Sequence, residues 1–83
     1  MTAITVIKAD QAIYEDGVGI LKCDMTGVPE DFWALQWDGS KGHIEWTDLS
    51  KANTIISSSD EIKTHLNVSL SDFIQRRNTI KNG

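Results

Sequence analysis

Phe32-Trp33-Ala34-Leu35-Gln36-Trp37-Asp38, then Gly39-Ser40-Lys41-Gly42, then His43-Ile44-Glu45-Trp46-Thr47-Asp48 is the stretch on which the fold turns. Apolar and polar residues alternate on both sides of a glycine-bounded loop, the pattern of an antiparallel hairpin with one dry and one wet face. With residues 39–42 as the loop, Trp37 falls opposite Ile44, Leu35 opposite Trp46 and Trp33 opposite Asp48. One face then carries Trp33, Leu35, Trp37, Ile44 and Trp46. The other pairs Asp38 with His43, Gln36 with Glu45 and Ala34 with Thr47. A slip of one residue would mix tryptophan with His and Glu, so side-chain sorting selects this pairing. The three tryptophans are read as core in preference to a ligand-stacking platform, because a small domain needs large apolar side chains to complete its interior.

Outward from the hairpin, Ile4-Thr5-Val6-Ile7 has β-branched strand composition, and Asp16-Gly17 between Ala12–Glu15 and Val18–Leu21 is a tight-turn signal. The alternation of Leu21-Lys22-Cys23-Asp24-Met25 predicts a strand with Leu21, Cys23 and Met25 on one face. Thr26 to Asp31, with the single proline Pro29, has turn chemistry, and Thr54-Ile55-Ile56-Ser57 supplies a last strand. Ser58-x-x-Glu61 and Ser69-x-x-Asp72 resemble capping boxes, the first opening a short turn through Ile62 and Leu66, the second a helix to about Ile80. Leu70, Phe73, Ile74 and Ile80 line one side of that helix, and the open face of the sheet is the simplest surface for them to cover. The expected fold is α+β: an antiparallel meander of about four to six strands over residues 1–57, then a helical segment over 58–83.

An 83-residue chain allows one domain with a thin core, burying somewhat over ~60% of what its unfolded form exposes, so no roomy cofactor site is expected. The lone Cys23 cannot form an intrachain disulfide and alternates with core positions, which fits a reducing compartment and a structural role. Residues 1–8 show no basic leader before an apolar run, and no later run is long enough to span a bilayer. The sequon Asn67-Val68-Ser69 arises readily by chance. Charge is uneven: residues 1–61 set four lysines against eleven acids, −7, whereas 62–83 set Lys63, Arg76, Arg77 and Lys81 against Asp72, +3. The acidic body disfavours nucleic acid. The basic tail suits either the dipole at the end of a helix or an acidic partner, which makes Leu70, Phe73, Ile74, Arg76 and Arg77 the candidate partner-contact residues.

No enzyme signature survives inspection. Asp24-Met25-Thr26-Gly27 interrupts the contiguous Asp-Thr-Gly of an aspartic protease and has no second copy. Gly39-Ser40-Lys41-Gly42 lacks phosphate-loop spacing and joins two strands, and Asp38 stands where a nucleophile elbow needs glycine. Asp38, Ser40 and His43 are neighbours across the hairpin with no oxyanion site beside them. His43, His65 and Cys23 lack metal-ligand spacing. The expected protein has no catalytic, metal or cofactor residues.

Ala34-Leu35-Gln36-Trp37-Asp38-Gly39 and Gly42-His43-Ile44-Glu45-Trp46, preceded by Asp24-Met25-Thr26-Gly27-Val28-Pro29, resemble a motif of small tailed-bacteriophage proteins over roughly residues 16–58. The resemblance implies a fold and a phage origin, with a role in tail-fibre assembly or as a small virion component. Its implied partner is a phage tail or fibre protein, and its implied location the cytoplasm of the infected host and the virion. The contrasting expectation is an acidic host-takeover or anti-defence inhibitor whose carboxylates occupy a basic cleft on a host protein. Such a mimic would array its acids along one face.

Overall fold

The computed structural model describes residues 3–82. In chain order the elements are β1 (Ile4–Ile7), β2 (Ala12–Glu15), β3 (Val18–Ile20), β4 (Phe32–Trp37), β5 (Gly42–Trp46), β6 (Thr54–Ile56), α1 (Asp60–Leu66) and α2 (Leu70–Asn82). All six strands form one antiparallel sheet in the order β3-β2-β1-β4-β5-β6, and the fold is α+β as the residue pattern predicts. Two three-strand meanders share it, one on each side of the β1–β4 pair. The loop 21–31 carries the chain from the β3 edge back to β4.

That loop replaces the strand expected over Leu21–Met25. Lys22 takes a positive φ of 66°, which breaks the extended path and turns Leu21 outward, while the Cys23 N–H bonds the Gln11 carbonyl at 2.9 Å and its side chain enters the core. The Asp16-Gly17 turn is as expected: both residues have positive φ (50° and 87°), the geometry whose twist matches paired strands.

The β4–β5 hairpin keeps its predicted faces but not its register. Leu35 lies opposite Ile44, Gln36 opposite His43 and Trp37 opposite Gly42, a shift of two residues that leaves Leu35, Trp37, Ile44 and Trp46 buried together. Asp38 causes the shift. Its Oδ1 accepts the N–H of Ser40 (2.9 Å) and of Lys41 (2.8 Å), and its own N–H bonds the Lys41 carbonyl (2.9 Å), so the loop closes at 38–41. Gly42 becomes a strand residue where a Cβ would overlap the Gln36 carbonyl oxygen.

A β-bulge then overturns the core assignment of Trp33. Phe32 faces Trp46 and Ala34 faces Glu45, leaving Trp33 as the extra residue. Phe32 takes the interior position and Trp33 is 46% exposed.

Both helices cover the face formed by Ile4, Val6, Ile13, Leu35, Trp37, Ile44 and Ile56, contributing Ile62, Leu66 and Phe73 with Val68 between them. The first capping box is half formed: Glu61 Oε2 accepts the N–H groups of Ser57 and Ser58, and the cap residue, Ser59, makes no side-chain bond. At α2 Ser69 Oγ accepts the Asp72 N–H at 3.1 Å, the expected N-terminal cap. Asn67 closes α1 in the left-handed region.

Candidate functional site

The residues expected to contact a partner are instead largely an internal seam. Phe73 is fully buried, and Leu70 and Ile74 are partly buried against the same core. Arg77 is only 3% exposed, with Nη1 donating to Glu15 Oε1 at 3.2 Å and Nη2 to the Val18 carbonyl at 3.0 Å. Its guanidinium thus bolts α2 to the β2–β3 hairpin, where the paired carboxylate and carbonyl offset the loss of hydration. Arg76 donates from Nη1 to the Asp24 carbonyl at 3.0 Å and holds the 21–31 loop against α2. Arg77 is thus neutralised by Glu15, and Arg76 is half-buried against the 21–31 loop. A positive residue near a helix end looks alike in sequence whether it faces water or a carboxylate from another element.

Asp38, Ser40 and His43 are near in sequence but form no relay. Ser40 Oγ lies 3.3 Å from Asp38 Oδ1, whereas His43 Nε2 lies 3.3 Å from Glu45 Oε2 on its own strand. Gln36, not Asp38, faces His43 across the hairpin.

Asp38 belongs to a threefold local device, Asp-x-Ser/Thr, present also at Asp24-Met25-Thr26 and Asp48-Leu49-Ser50. In each, Oδ1 accepts the backbone N–H two residues on, at 2.9 Å. The hydroxyl and N–H of Thr26 hold the Asp24 carboxyl below the usual range; the N–H groups of Lys41 and Ser40 do so for Asp38, and the hydroxyl and N–H of Ser50 for Asp48. These acids stabilise three separate turns. Burial pushes the Cys23 thiol up, and its Sγ lies 3.3 Å from the Ile20 carbonyl oxygen. Among the described residues no group of three or more His, Cys, Asp or Glu side chains is placed to hold a metal ion. No helix among them is long and apolar enough to cross a membrane.

What the sequence reading missed is the tryptophan on the outward face of the sheet. Strand alternation places Thr5, Tyr14, Gln36, His43 and Ile55 on the face opposite the helices, with Thr5 Oγ1 bonded to Gln36 Oε1 at 2.9 Å. Trp33 stands at one end of this face, in a shallow cleft of about 410 Å³ with Lys8, Ala9, Glu30, Phe32 and Thr47. A second trough of about 540 Å³ runs over Thr5, Gln36, His43 and Ile55 at the other end. The alternating polar residues announced a solvated face. Only the bulge adds a tryptophan, and the sequence carries no marker for it.

No family model matches the chain, and neither does any curated protein or solved structure.

Proposed function

We propose that the protein is non-enzymatic and acts by contact with another protein through the helix-free face of its sheet. The observation that carries this reading is Trp33, a large aromatic turned outward by a β-bulge beside a cleft. Bulges re-aim side chains, and tryptophan is among the residue types that dominate binding energy at protein interfaces. The hairpin resemblance supplies the setting: a tailed phage, with a tail or fibre protein as partner and fibre assembly or a virion accessory role as the task. The alternative of an acidic mimic draws no support from its carboxylates, since Asp24, Asp38 and Asp48 are engaged in separate turns.

Co-expression with the products of the genes flanking its own tests the proposal. A fibre or tail protein is expected to co-purify with the wild type and with Ser40→Ala, and to be lost with Trp33→Ser. Retention by Trp33→Ser, or no binding among the flanking products, contradicts it.

A further inference from the structure

The two edges of the sheet are not alike. At the β3 edge the Val18 carbonyl is taken by Arg77 and the middle residue is Gly19. The β6 edge is short but carries neither charge nor proline: residues 52–59 are Ala-Asn-Thr-Ile-Ile-Ser-Ser-Ser, and Ile55 is 73% exposed. Hydrogen-bonded pairs alternate along an antiparallel ladder. Counting from the Asp38 N–H to Lys41 carbonyl bond, Gln36 and His43 form such a pair, so β5 bonds β6 through Gly42 and Ile44. Thr54 and Ile56 are their partners, and Ile55 turns its N–H and C=O outward.

We propose that β6 pairs with β6 of a second copy of this chain, antiparallel and centred on Ile55, to make one continuous sheet across a two-fold axis. The uncharged run selects this occupant and orientation, because it lies between Lys51 and Asp60. Antiparallel alignment brings Lys51 of each copy towards Asp60 of the other, whereas parallel alignment would bring like charges together. Lys51 Nζ now rests on Asp31 Oδ2 at 3.1 Å and lies 3.8 Å from the centre of the Trp46 ring, contacts that the pairing would exchange. In the centred register Ile55 faces Ile55, Thr54 faces Ile56 and Asn53 faces Ser57, with no like charges opposed. The ladder consists of the reciprocal Ile55 pair and an Asn53 N–H to Ser57 carbonyl bond on each side. It extends no further because Glu61 holds the N–H groups of Ser57 and Ser58. So short a contact belongs with weak, reversible interfaces. A perpendicular two-fold keeps all helices on one side, so both copies of Trp33 remain on the free face. The dimer therefore stands or falls independently of the role proposed for that face.

Sedimentation equilibrium of the intact chain, combined with amide exchange at Ile55, tests the pairing. The weight-average mass should rise from 9.2 kDa towards twice that value as the protein approaches about 1 mM, with Ile55 amide protection rising in step. Ile55→Lys should hold the mass at that of the monomer without altering the circular-dichroism spectrum, and Trp33→Ser should still dimerise. A mass fixed at the monomer value throughout overturns the proposal. So does association that survives Ile55→Lys or leaves Ile55 exchange unchanged.

Discussion

Arg77 Nη1 lies 3.2 Å from Glu15 Oε1, joining residues 62 positions apart and fixing the last helix to the second strand. The two partners are unequally hidden: the arginine side chain is 3% exposed and the glutamate 32%. Removing one is therefore not equivalent to removing the other. Arg77→Ala leaves a carboxylate that water can still reach and is expected to cost about 1.5–3 kcal/mol, the scale of hydrogen bonds to a charged group. Glu15→Ala strands a buried cation whose Nε has no hydrogen-bond partner among the described residues, and should cost more, about 3–5 kcal/mol. Urea titration of the two variants checks the order. Equal losses, or a smaller loss for Glu15→Ala, contradict it.

Trp46 and Trp33 should separate sharply on truncation. Trp46 is buried and its Nε1 donates to Thr54 Oγ1 at 3.0 Å, so Trp46→Ala should cost about 3–5 kcal/mol. Trp33→Ala should cost less than about 1 kcal/mol, as for an ordinary surface change. Denaturant midpoints of the two proteins give the answer, and comparable losses would place Trp33 in the core after all.

The three Asp-x-Ser/Thr turns set an acid limit. Each carboxyl titrates below its ordinary 3.8 because the folded turn hydrogen-bonds the charged form. Their contribution is thus complete above the unfolded value and disappears as pH falls through the lower folded values. Thermal melts should show this stability present above about pH 5 and declining below about pH 4. Combining Asp24→Asn, Asp38→Asn and Asp48→Asn should reduce the decline. A parallel fall in that variant would locate the acid sensitivity elsewhere.

The hairpin's faces were legible from alternation because a two-residue shift preserves which side each residue takes. The register was not, because Asp38 could be a strand residue or the closing residue of its own loop, and only the folded loop chooses. Trp33 was misassigned for a related reason: Phe32 and Trp33 are both suitable core residues, and one bulge decides between them. In the helical segment, Leu70, Phe73 and Ile74 pack on the core as the apolar stripe predicts, but Ile80 is exposed and Arg77 takes the buried place instead, a role that depends on a glutamate from a distant strand. The candidate face was half legible, with its polar residues evident and its aromatic hidden.

The measurement that bears most directly on the proposed contact face is a 15N chemical-shift titration of the intact protein with the partner that co-purifies with it. Binding is expected to perturb the Trp33 indole N–H and the amides of Gln36 and His43, leaving α1 and α2 largely unmoved. Perturbations confined to α1 and α2, with the Trp33 indole signal unchanged, would contradict the account.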